Sequence, residues 1–104
     1  MSERWADAGI PDGQALLNLV YAESDRQVAK WGHQVHSPAE WSLILAEEWG
    51  ELGQELCVAH FYGKVSPNLG REAVQVATLA LKIYVMAEAR RALAASKEAE
   101  PRAS

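Results

Sequence analysis

The chain has 104 residues, 49% of them hydrophobic, which is enough for one globular domain with a modest core and argues against a disordered segment. Its formal net charge of −4 leaves no sequence-wide basic footprint, so a nucleic-acid polymer is not an expected partner, although a single nucleotide is compatible with that balance. The single cysteine, Cys57, allows neither an intrachain disulfide nor a multi-cysteine metal site and fits a reducing compartment. The first residues carry no charged-then-apolar signal pattern. The longest apolar stretch, Val76 to Ala87, is interrupted by Lys82 and too short for a bilayer, so a soluble cytoplasmic protein without a membrane partner is expected.

The first predicted helix starts near Pro11 or Asp12, carries Leu16, Leu17, Val20, Val28 and Trp31 at helical spacings, and stops at Gly32. The second has the clearest start signal. Ser37-Pro38-Ala39-Glu40 reads as a capping box with Pro at the first helical position, and Gly63 reads as the left-handed stop after Tyr62. Ser66-Pro67 opens a third helix that the Ala, Leu, Glu and Arg content can carry to about Ala95. No strand-like alternation bounded by turn residues is present. The expectation is an all-α chain of three helices, a single domain over residues 1–95 with a fraying tail over 96–104, assembling four-helix-bundle units in an oligomer. Gly50 and Gly53, inside the second helix, are read either as simple tolerance or as points of close approach by another helix.

Between Lys30 and Lys64 there is no lysine or arginine, and into that gap the sequence places Glu40, Glu47, Glu48, Glu51 and Glu55. An ordinary surface helix offsets its glutamates with cations three or four residues away. Glu40 is explained by the capping box. On a helical wheel Glu48 falls within the arc of Ile44, Leu45, Leu52, Leu56 and Ala59, with Glu51 and Glu47 at its edge, and Glu72 falls within the stripe of Leu69, Val76, Leu79, Ile83 and Met86. Inward carboxylates protonate or find a partner. Three readings stay open on these residues: a hard cation, a shared proton, or pairing with Arg71, Lys82 or Lys30.

Glu47-Glu48-Trp49-Gly50-Glu51, then twenty residues, then Glu72-Ala73-Val74-Gln75 resembles the Glu-x-x-Glu … Glu-x-x-Asp signature of MazG-like, all-α nucleoside triphosphate pyrophosphohydrolases. The run Arg26-Gln27-Val28-Ala29-Lys30-Trp31-Gly32-His33-Gln34 and the segment Arg71 to Ala77 resemble the branch of that family common in phages and actinobacteria, so the likeness extends over roughly residues 14 to 90. The resemblance implies that Glu48, Glu51 and Glu72 ligate Mg²⁺, with Mn²⁺ as a substitute, and that Glu47 is a further ligand or a base for water. It implies hydrolysis of a nucleoside triphosphate between the α- and β-phosphates, giving a monophosphate and pyrophosphate. Lys30, Arg71 and Lys82 are then candidate phosphate contacts. A homodimer or homotetramer is expected on other grounds: three helices from so short a chain expose apolar residues on more than one side, Leu43, Ala46 and Cys57 lying away from the Glu48 arc. Gln75 stands where the family usually has Asp: its carbonyl oxygen can ligate, but the site loses one negative charge. That departure is the best argument for the alternative, a nucleotide-binding or helical interaction module without turnover.

Trp31 is either a stacking platform for a base or a core residue closing the first helix. Trp41 and Trp49 read as packing residues, Trp5 as a tail residue, and His60 and Cys57 as ordinary helix residues. His33 and His36 offer two nitrogens in a turn, short of the four ligands of structural zinc. A di-iron carboxylate bundle needs Glu-x-x-His on two helices, and no glutamate here is followed by His at that spacing.

Overall fold

The computed structural model describes residues 12–99. They form α1 (Gly13–Trp31), α2 (Pro38–Tyr62) and α3 (Pro67–Ala99), and the described residues include no strand. Each boundary has a chemical cause. The Asp12 carboxylate accepts from the Ala15 amide at 2.9 Å and starts α1. Gly32 ends it with a positive φ of 75° that side-chain-bearing residues resist. The capping box of α2 is complete: Ser37 Oγ accepts from the Glu40 amide at 3.2 Å, and the Ser37 amide donates to Glu40 Oε1 at 2.8 Å. Gly63, in the left-handed region, closes α2 by donating to the Ala59 carbonyl.

The link from Gly63 to Ser66 turns the chain back, and α3 packs on both other helices as the central element. Ser66 secures this turn twice, donating to Glu55 Oε2 at 2.8 Å and accepting from the Asn68 amide at 3.1 Å. Glu55 is thereby engaged in holding the α2–α3 hairpin. Helix α3 runs to Ala99 rather than to Ala95, so residues 96–99 of the expected tail are helical; the first proline in the sequence after that point is Pro101. Pro11, Trp5 and residues 100–104 lie outside the described residues.

Among the described residues Trp41 and Leu79 are the buried apolar side chains, joined by the fully buried Thr78, whose hydroxyl donates to the Val74 carbonyl of its own helix. Most other apolar side chains are only partly covered. Leu43, Phe61, Tyr62, Val65, Tyr84, Val85 and Leu93 are more than half exposed. Trp49, expected to pack, is 66% accessible; Trp31, for which the sequence leaves a base platform and a core role open, is 54% accessible and so is not a core residue. A wheel shows which residues share an arc, whereas coverage depends on where the neighbouring helix lies. A Cβ added at Gly50 or Gly53 would meet nothing within 4 Å, so no described helix approaches closely there. No helix among the described residues is long and apolar enough to cross a membrane.

Candidate metal centre

Glu48 and Glu51 project from the same side of α2 one turn apart, and the hairpin sets Glu72 of α3 opposite them. Oxygens of the three carboxylates lie within 4.8 Å of one another, Glu48 and Glu72 half-buried and Glu51 exposed. Gln75, one turn beyond Glu72, completes the group. In the amide orientation that satisfies its hydrogen bonding, its nitrogen donates to Glu48 Oε2 and to Glu72 Oε2, each at 2.9 Å.

The electrostatics reflect this crowding. Burial pushes the Glu48 carboxyl up to about 7, and the neighbouring charges of Glu51, Glu72 and Glu47 add to the shift. Glu72 is raised as well, first by burial and then by Glu51 and Glu55. Without a cation Glu48 therefore holds its proton into the neutral range.

This donor set suits a hard cation that keeps water and substrate oxygens in its shell: three carboxylates and an amide, all oxygen donors, on two facing helices. The amide of Gln75 serves either state. Its nitrogen offers two donors to the acids, and the reverse orientation sets its carbonyl oxygen among them, which is favourable only where a cation is present.

The other sequence candidates are placed differently. Glu47 is exposed and outside the three-carboxylate group, acting on Glu48 through its charge. None of Lys30, Arg71 and Lys82 forms an ion pair with these acids among the described residues, so pairing is not what holds the inward glutamates. Lys82 Nζ donates to Gln27 Oε1 of α1 at 2.7 Å. Lys30 Nζ sits 4.5 Å from the centre of the exposed Trp31 ring, with the Arg26 guanidinium 5.9 Å from it. Arg71 is exposed at the start of α3.

Glu23, Arg26 and Gln27 are not among the sequence candidates for the site, although Arg26 and Gln27 lie in the run that resembles the family. Glu23 is 8% exposed and Gln27 5% exposed. Glu23 accepts from Arg26 Nε at 2.9 Å, Arg26 Nη2 at 2.7 Å and Gln27 Nε2 at 2.8 Å. Burial alone would push the Glu23 carboxyl up, but the bonds from Arg26 and Gln27, with the charges of Arg26 and Lys82, outweigh it and hold it below its ordinary range. Leu16, Val20, Glu23 and Gln27 follow helical spacing, so the signal was a polar pair continuing an apolar stripe.

Compared with protein-family models, curated proteins and solved structures, the chain finds no match.

Proposed function

We propose that this chain is a Mg²⁺-dependent nucleoside triphosphate pyrophosphohydrolase, converting a nucleoside triphosphate into its monophosphate and pyrophosphate. The observation that carries the reading is the convergence of Glu48, Glu51 and Glu72 within 4.8 Å, with Gln75 bridging two of them. Such a concentration of like charge is unfavourable without a cation, and the MazG-like resemblance implies a metal-ligand role for the same residues. Mn²⁺, with similar oxygen preferences, is expected to substitute.

Glu48, Glu51, Glu72 and the Gln75 carbonyl would hold the metal, which would supply neutralisation of triphosphate charge and a lowered pKa for a bound water. Glu47, exposed beside Glu48, is free to accept a proton from the attacking water. The carboxylates fix position and charge, which supply most of the catalysis in phosphoryl chemistry. Trp31, open to solvent and flanked by Lys30 and Arg26, suits a base or a phosphate ester better than a core role.

The exposed apolar residues on α2 and α3, and a groove of about 960 Å³ between α1 and the later turns of α3, support assembly with a second copy, as a homodimer or homotetramer that completes four-helix units. One observation favours the alternative of a module without turnover: the Gln75 amide can satisfy Glu48 and Glu72 with no metal at all. The deciding experiment is a screen of nucleoside triphosphates with Mg²⁺, read by pyrophosphate release. Orthophosphate as the first product, or no metal-dependent product from any nucleotide, overturns the enzymatic reading.

A further inference from the structure

A cleft of about 430 Å³ opens between α1 and the first turns of α3, with Arg26 on one side and Arg71 on the other. Arg26 is oriented by the buried Glu23, which takes its Nε–H and one Nη2–H. Three of the five guanidinium N–H groups remain unspent, and the side chain is 47% exposed. Gln27 donates to the same carboxylate and accepts from Lys82, so the clamp is anchored on α1 and α3 together.

Neutralising one buried carboxylate takes one cation. Here Arg26 and Lys82 both act on Glu23, and Arg71 makes no ion pair among the described residues. The cleft also adjoins the acidic cluster. Arg71 directly precedes Glu72 in the sequence, and the Arg26 guanidinium, held up first by its bonds to Glu23, is raised further by the charge of Glu48. A planar fork oriented by Glu23, in a cleft that a second arginine also lines, matches the oxygens of successive phosphoryl groups.

We propose that this cleft is a polyphosphate site, in which Arg26 and Arg71 hold the outer phosphates of the substrate and Glu23 and Gln27 act as positioning residues for Arg26. The inference rests on the pyrophosphohydrolase reading for its substrate and adds the residues that hold the leaving pyrophosphate. Glu23 offers little repulsion to that anion, since its carboxylate is buried and its oxygens are engaged by Arg26 and Gln27.

The test is calorimetric titration of the full chain with inorganic pyrophosphate in the presence of Mg²⁺, for wild type, Arg26→Met, Arg26→Lys, Arg71→Met and Glu23→Gln. Arg26→Met is expected to weaken binding by about tenfold or more, the scale of a lost charge-assisted contact. Arg26→Lys should recover part of that loss, and Glu23→Gln should weaken binding with the arginine still in place. A merely structural Arg26 would lower the melting temperature and leave pyrophosphate affinity of the folded protein unchanged, which would overturn the proposal. Should Arg26→Met not fold, Arg71→Met at an exposed position decides alone, and wild-type affinity in that variant is equally fatal. Pyrophosphate release from nucleotides with arginine-independent pyrophosphate binding sinks only the cleft assignment. Arginine-dependent binding with no hydrolysis keeps the cleft and sinks the enzymatic reading.

Discussion

Gln75 of α3 donates to Glu48 Oε2 of α2 at 2.9 Å, using an uncharged side chain to join two helices that face each other through acids. An isosteric carboxylate would reverse that relationship. Gln75→Glu removes both donors and adds a fourth charge, so the metal-free protein should lose about 1 to 3 kcal/mol, the scale of an unsatisfied buried polar contact. The same variant should gain more from Mg²⁺ than wild type does. Thermal melts with EDTA and with Mg²⁺ measure both effects. An unchanged metal-free melt would mean that the amide does not hold the hairpin. The shorter Gln75→Asp should likewise tighten Mg²⁺ binding in calorimetry, and weaker binding there would remove Gln75 from the ligand set.

Glu48→Gln, Glu51→Gln and Glu72→Gln should each remove most of the pyrophosphate-releasing activity while leaving the helix content by circular dichroism unchanged. Because Glu48 is crowded by Glu51, Glu72 and Glu47, Glu48→Gln should also raise the metal-free melting temperature at pH 8. A variant that is less stable there, with its Mg²⁺ response intact, would contradict the proposed electrostatics.

Leu43, Phe61, Tyr62, Val85 and Leu93 are each more than half exposed, apolar surface that a second copy would cover. Light scattering at tens of micromolar should return a mass of at least two chains. A monomer across that range would count against assembly and against any site shared between copies.

Helix boundaries were legible because Ser37-Pro38, Gly32, Gly63 and Ser66-Pro67 act through local geometry that does not depend on the rest of the fold. The acidic cluster was legible for a related reason: Glu48 and Glu51 share one helix, and a short turn leaves α3 little choice but to lie antiparallel, bringing Glu72 opposite. Coverage by α1 was not legible. Trp31 and Leu17 follow the same periodicity as Leu16 and Val20, yet the fold buries Glu23 and Gln27 and leaves Trp31 in solvent. Gln27 accepts from Lys82 of α3, a partner 55 residues away that local periodicity does not reveal.

Glu23 and Glu48 pull the metal-free stability profile in opposite directions. Glu23 has its pKa depressed in the folded chain, so its contribution is present above the unfolded value, near 4.3, and is lost as pH falls through the lower folded value. Glu48 is raised to about 7, so between the unfolded value and that point the folded state binds the extra proton and stability falls as pH rises. Metal-free protein should therefore be most stable in the weakly acidic range and weaker at pH 8 by an amount of order 1 to 2 kcal/mol, after allowing for solvent screening at this half-buried site. Mg²⁺ competes with the protons of the cluster, so its stabilising effect should grow from pH 5 to pH 8 and move the maximum upward. Urea titrations across that range, with EDTA and with Mg²⁺, measure both curves. A metal-free profile that rises steadily to pH 8 would show that Glu48 is not held protonated, and a Mg²⁺ effect independent of pH would place the cation elsewhere.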